Sequence, residues 1–304
     1  MGYINDVREL IGNTPLLKLN RMDFAPRANV FAKLELWNPG GSVKDRMGTA
    51  LLEDAEQNGR LKPGGAIVEP TAGNAGIGIA LAALGKGYRV IFVVPEKFSV
   101  EKQAIMRAYG AEIVHTPLQD GIEGAIEKAK SLLAEIEGSV TLGQFTNAVN
   151  PAAHYRTTGP ELYEQLAGAI DYVVAGAGSG GTFTGVLRYL KERVPNVKGV
   201  LADPYGSTMG GGEPGCYAIE GIGNTFMPDT MDMELVDQVI KVADEAALRE
   251  VRLLAAREGV FAGSSSGAAV AAVRALVETG VSGNIAVILP DRGDRYFSKN
   301  LLGL

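Results

Sequence analysis

Cysteine occurs once in the 304 residues, at Cys216, and histidine only twice, at His115 and His154. A single cysteine excludes an internal disulfide and a thiolate metal cluster, and two histidines leave too little for an imidazole metal site, so no metal is expected. Nothing in the sequence pairs Cys216 or His154 as nucleophile and base, and both read as structural residues. No apolar run is long and charge-free enough to span a bilayer. The stretch "MGYINDVREL" lacks the apolar core of a signal peptide, and Asp6 stands where myristoylation after Met-Gly would want Ser or Thr. Basic runs and basic-aromatic stripes are missing too; the formal charge is −6, with both signs spread along the chain, so no nucleic-acid partner is expected. These absences predict a cytoplasmic enzyme or binding protein with no membrane partner. Binding proteins of this size are usually exported, which favours an enzyme.

Hydrophobic residues make up 46% and charged residues 21%, the profile of a globular chain with room for one large α/β domain or two ordinary ones. From about residue 60 onward, Val- and Ile-rich runs alternate with helical patterns. The runs are "AIVEP" (66–70), "YRVIFVVP" (88–95), "AEIVHTP" (111–117), "DYVVAGAG" (171–178), "KGVLADP" (198–204), "DQVIKVAD" (237–244) and "NIAVILP" (284–290). Such alternation predicts βαβ units and open, doubly wound, largely parallel sheets. Residues 205–232 predict a long loop, a length that is usually functional.

Three strand ends run into glycine- and hydroxyl-rich turns that open helices: "EPTAGNAG" (69–76), "GAGSGGTFTG" (176–185) and "AGSSSGAA" (262–269). Each offers free N–H groups at a positive helix end, which suits an anion. At the carboxyl ends of parallel strands, all three can converge on one crevice. "GAGSGG" also fits a dinucleotide fingerprint, with Asp203 at the end of the next strand, so a nicotinamide-dependent oxidoreductase is a rival reading. That rival leaves "NPGGSVKDR" (38–46) without a task. Its Lys44 sits at a helix start, where the macrodipole is already positive and an amine's pKa falls.

These four motifs, in this order, resemble the pyridoxal-phosphate enzymes of the tryptophan-synthase-β fold type, specifically the cysteine synthase and cystathionine β-synthase branch. The likeness runs from "IGNTPLLKL" (11–19) to "ILPDRGDRY" (288–296), through "QFTNAVNPAAHYRTTGPE" (144–161) and "EGIGNTF" (220–226). It implies two open, twisted, mostly parallel-sheet domains with pyridoxal 5′-phosphate in the cleft between them. The smaller spans 35–148; the larger combines 1–34 with 149–304. Lys44 then forms the Schiff base with the cofactor aldehyde and shuttles the substrate Cα proton. Asn74 bonds the ring 3′-oxygen, Gly178, Ser179, Gly180, Gly181 and Thr182 wrap the phosphate, and Ser265 faces the pyridine nitrogen. Thr71, Ala72, Gly73, Asn74, Ala75 and Gln144 take the substrate carboxylate, and Gly221, Ile222 and Gly223 line the cleft opposite. The implied reaction is β-replacement on O-acetylserine or serine by homocysteine or sulfide, in a homodimer.

Family members usually carry Ser and Thr at the positions of Ala72 and Ala75. The alanine turn resembles that of bacterial enzymes that make cystathionine from O-acetylserine and homocysteine, and "LADPYGS" (201–207), "YAIEGIGNTFMPDTMD" (217–232) and "NPAAHYRTT" (150–158) resemble cystathionine β-synthases more than cysteine synthases. The expectation is therefore homocysteine as the favoured thiol, with a plain cysteine synthase as the alternative.

Overall fold

The computed structural model describes residues 2–24, 28–71, 73–96, 99–299 and 301. All seven apolar runs form strands: β3 (Ala66–Pro70), β4 (Arg89–Pro95), β5 (Glu112–Thr116), β7 (Tyr172–Gly176), β8 (Lys198–Pro204), β9 (Gln238–Val242) and β10 (Gly283–Leu289). Three strands have no counterpart among those runs: β1 (Leu16–Lys18), β2 (Ala28–Leu34) and the two-residue β6 (Ser139–Val140). They assemble into two sheets, of order β1-β2-β10-β7-β8-β9 and β5-β4-β3-β6. Every pairing is parallel except β1 with β2.

The helices are α1 (Lys44–Gln57), α2 (Asn74–Ala83), α3 (Val100–Ala108), α4 (Gly121–Glu135), α5 (Val149–Arg156), α6 (Thr158–Gln165), α7 (Gly181–Arg193), α8 (Asp244–Leu253) and α9 (Ser264–Glu278). They cover both faces of each sheet, as strands apolar on both faces require. Around the four-stranded sheet, Met47, Leu51, Ile77 and Phe92 form one core, and Val68, Ile91, Ala125 and Ala129 the other. Around the six-stranded sheet, α9 packs on one face and α7 on the other, giving two further cores.

Strand order fixes where a ligand can sit. In the large sheet the chain winds outward from β7 to β8 and β9, then returns to β10 on the other side of β7. In the small sheet β3 leads to β4 and β5, and the chain returns to β6 on the opposite side of β3. Both reversals leave a crevice beyond the strands' carboxyl ends, the usual ligand position in open α/β sheets. The turn after β7 and Pro290 after β10 flank one crevice; Thr71 after β3 and Gln144 after β6 flank the other.

Two glycines let α1 and α2 approach at backbone contact. A Cβ on Gly48 would fall 2.3 Å from the Gly78 carbonyl carbon, and one on Gly78 would fall 2.3 Å from the Lys44 oxygen. The start of α2 is thereby held beside the start of α1. A buried ion network anchors α1 from below. Arg46 meets Glu35 at 2.8 Å and Glu161 at 2.6 Å, and Lys33, wholly buried, meets Glu161 at 2.7 Å.

Candidate active site

A cavity of about 520 Å³ opens where the strand ends of both sheets face each other. Lys44 lines it from the first turn of α1, and Ser265 from the first turn of α9. Thr71, Gly73, Asn74 and Ala75 line it from the turn after β3, with Gln144 beside them. Gly221, Ile222 and Gly223 form the wall opposite. At the inner end, Lys44 shares a smaller pocket with Gly178, Ser179, Gly180 and Thr182. The residues expected to act together are thus brought together, with two qualifications. Gly181 is set back, its α-carbon turned toward Asn150 on α5, and Ala72 lies outside the described residues.

The inner pocket is built for an anion. It sits at the N-terminus of α7, whose first-turn N–H groups have no intrahelical acceptor. Gly180 holds φ at +81°, a left-handed conformation that lets the turn enter the helix and that a side chain would strain. A Cβ on Gly178 would stand 2.5 Å from the Gly221 oxygen, so glycine keeps the two walls close.

No hydrogen bond or ion pair holds the Lys44 amine among the described residues. Burial pushes its pKa down, opposed by the carboxylates of Asp291 and Glu35. A lowered pKa raises the share of the amine in its neutral, nucleophilic form.

The side chain of Asn74 is fixed from behind. Its Nδ2 donates to Asp291 Oδ2 at 2.6 Å, and its Oδ1 accepts from Arg295 Nη1 at 2.8 Å. Tyr296 donates its hydroxyl to the same Asp291 oxygen. Asp291, Arg295 and Tyr296 are almost fully buried, and the sequence reading gave them no role. The signals were position, since "PDRGDRY" directly follows the last apolar strand, and the resemblance, which takes in "ILPDRGDRY" without giving its side chains a role.

The loop 205–232 contains no helix or strand, as expected, yet it is tied down at several points. Lys241 Nζ bonds Asp203 at 2.7 Å and the carbonyls of Ser207 at 2.6 Å and Gly211 at 2.8 Å. Asp244 Oδ2 accepts from the Ala218 N–H at 2.8 Å, and Asn224 Nδ2 donates to the Gly178 carbonyl at 2.5 Å. These ties make the loop a fixed far wall. They also speak against the dinucleotide reading, because Asp203 is 1% exposed and committed to Lys241 and the Gly210 N–H, away from the cavity. Cys216 is exposed on the same loop and lines neither pocket.

A family described as "Pyridoxal-phosphate dependent enzyme" matches residues 7–291. The chain belongs to that family. It is 52% identical over 302 residues to the O-acetylserine dependent cystathionine beta-synthase of Bacillus subtilis, covering 99% of this chain and 98% of that one. It is 44% identical over 301 residues to a cysteine synthase of Staphylococcus aureus, covering 98% and 97%. The crystal structure of an O-acetylserine dependent cystathionine beta-synthase from Helicobacter pylori matches with a TM-score of 0.94 at 43% identity, covering 99% of both chains. The protein is a pyridoxal-phosphate enzyme of the cystathionine β-synthase and cysteine synthase type, with the α/β fold of that class.

The residues present fit the cofactor. A half-buried amine without an ion-pair partner among the described residues faces a glycine-lined helix N-terminus in one pocket, and these are the two groups an aldehyde and a phosphate on one small molecule need.

Proposed function

We propose that this enzyme replaces the β-substituent of O-acetyl-L-serine with a sulfur nucleophile and favours homocysteine, giving L-cystathionine. The carrying observation is the cavity around Lys44: about 520 Å³, to be shared by cofactor ring and substrate, with Tyr217, Glu220 and Asn224 on its far wall as polar groups that an amino-acid thiol can meet and sulfide does not need. Ala75, where relatives of this type usually bear a hydroxyl, leaves further room beside the carboxylate turn. The likeness to two O-acetylserine dependent cystathionine beta-synthases supports the same reading.

In this reading Gly178, Ser179, Gly180, Gly181 and Thr182 hold the phosphate, Asn74 meets the ring oxygen and Ser265 the ring nitrogen. Bound pyridoxal phosphate supplies the electron sink that stabilises negative charge at the substrate Cα. The Lys44 amine removes the Cα proton and later returns it. Thr71, Gly73, Ala75 and Gln144, with the N–H groups opening α2, hold the substrate carboxylate; Ala72 has the same role by resemblance. Gly221, Ile222 and Gly223 close the opposite side. Acetate leaves more easily than hydroxide, so O-acetylserine is the better first substrate.

The second reading is a cysteine synthase that uses sulfide, favoured by the 44% identity to such an enzyme. The deciding assay supplies saturating O-acetylserine with homocysteine as the only thiol, beside a parallel reaction with sulfide. Cystathionine as a main product supports the proposal; cysteine from sulfide with no cystathionine establishes the second reading.

We further propose a cytoplasmic homodimer divided at 35–148 against 1–34 plus 149–304. Two strands before residue 35 share a sheet with four after residue 171, which supports the division. Exposed apolar side chains such as Tyr3, Ile4 and Trp37 give a second copy something to cover, and light scattering reads the mass directly. No helix among the described residues is long and apolar enough to cross a membrane.

A further inference from the structure

Both hydroxyls of the α7 anion pocket are held from behind by one helix. Asn150 and His154 lie one turn apart on α5, so their side chains share a face. Asn150 Nδ2 donates to Ser179 Oγ at 2.9 Å, and His154 Nε2 lies 3.2 Å from Thr182 Oγ1. The two helices can approach this closely because α7 has glycine at the contact. A Cβ on Gly181 would lie 2.0 Å from Asn150 Oδ1, and one on Gly185 would lie 2.7 Å from His154 Cβ.

The direction of the His154 bond follows from proton accounting. His154 Nδ1 is 2.9 Å from Thr158 Oγ1, and both residues are fully buried. Among the described residues the Thr158 hydroxyl has no other partner. If Nδ1 carried the ring proton, the Thr158 proton would be stranded in the interior. If Nε2 carries it, every proton has an acceptor: Thr158 O–H donates to Nδ1, and Nε2–H donates to Thr182. The ring is also uncharged, since burial, with Arg46 and Lys44 nearby, lowers its pKa to about 3.

We propose that Asn150 and His154 are positioning residues that occupy the acceptor side of the Ser179 and Thr182 hydroxyls, so that both hydroxyls present their protons to the phosphate. Apart from Lys44, no cationic side chain among the described residues lines the inner pocket. The anion is therefore held by oriented neutral donors and a helix end. A hydroxyl free to rotate offers its lone pairs as readily as its proton, and lone pairs repel a phosphate dianion. This inference rests on placement of the cofactor phosphate at the start of α7.

The test compares pyridoxal 5′-phosphate with pyridoxal, which lacks the phosphate, in cofactor release from the holoenzyme and in rebinding. His154→Phe should weaken retention of pyridoxal phosphate by up to about tenfold, the loss expected if the Thr182 hydroxyl no longer bonds the charged phosphate. Pyridoxal binding should stay unchanged. His154→Gln, which keeps a donor near the Nε2 position, should restore retention. Combining His154→Phe with Thr182→Val should weaken retention no further than Thr182→Val alone, because the histidine acts through that hydroxyl. If His154→Phe fails to accumulate as folded protein, Thr158→Val takes its place, with a smaller loss in the same direction. Additive losses, equal weakening for both ligands, or no loss in either variant overturn the proposal. No effect of Thr182→Val alone overturns the phosphate placement instead.

Discussion

Lys102 Nζ lies 2.7 Å from Glu220 Oε2, joining α3 above the small sheet to the loop above the large one, at the rim of the cavity. The lysine side chain is 3% exposed and the glutamate 17%. Ser99 Oγ donates to the same carboxylate at 3.2 Å, Lys299 stands 3.5 Å from its other oxygen, and the Lys102 ammonium sits 4.1 Å from the Tyr296 ring centre. Removing one partner of such a pair strands the other charge. Lys102→Met should therefore destabilise the protein by about 1–3 kcal/mol, less than a fully buried pair because Glu220 keeps other partners and some water. Adding Glu220→Gln should recover part of the loss. Urea unfolding checks both; a loss under about 0.5 kcal/mol would mean that water screens the pair.

Lys44→Ala should lower turnover at least about a hundredfold, the usual effect of removing a general acid–base. Cofactor should still be retained through the inner pocket, without the visible absorbance of the covalent holoenzyme. Absorbance spectra and a phosphate assay on the dialysed protein separate the two losses. Near-normal turnover would remove Lys44 from the mechanism.

Ser265 is 3% exposed and opens α9 against the cavity. A neutral hydroxyl cannot hold a proton on a ring nitrogen as a carboxylate can. Ser265→Asp should stabilise the protonated ring, producing long-wavelength absorbance during turnover and slower β-replacement. Unchanged spectra and rates would show that Ser265 does not meet the ring nitrogen.

Two buried groups bend the pH dependence of stability in opposite senses. His154 has its pKa lowered from 6.5 to about 3 by burial, so its contribution is present above pH 6.5 and is lost as pH falls toward 3. Asp45 has its pKa raised from 3.8 to about 7, also by burial, so its contribution is present below pH 3.8 and is lost as pH rises toward 7. Relative to the native chain, His154→Gln should gain about 1.4 kcal/mol per pH unit as pH falls below 6.5, one proton's worth. Asp45→Asn should gain at a similar rate as pH rises between 4 and 7. Denaturant unfolding at pH 4.5, 5.5 and 6.5 reads both differences; parallel curves would show that neither group is shifted.

Much of this molecule is local, and the sequence determines that part. Strands β3, β4, β5 and β7 to β10 announce themselves as apolar runs rich in Val and Ile, all but β9 ended by Gly or Pro, because β-branched side chains suit strands buried on both faces. The glycine- and hydroxyl-rich turns, and the lysine behind Pro39, Gly40 and Gly41, are equally legible, since a turn's backbone needs are met by its own residues. β1 and β6, with three and two residues, are too short to carry a pattern. Tertiary structure alone decided what holds the site. The Asn74–Asp291 bond joins residues 217 positions apart, and the Lys102–Glu220 pair spans 118. The donor face of α5 became visible only when α7 packed on it through Gly181 and Gly185. Periodicity predicts which face of a segment is buried, but which side chains meet there depends on how two sheets wind outward from their reversal points. That winding also turned His154, alone in the sequence, toward Thr182.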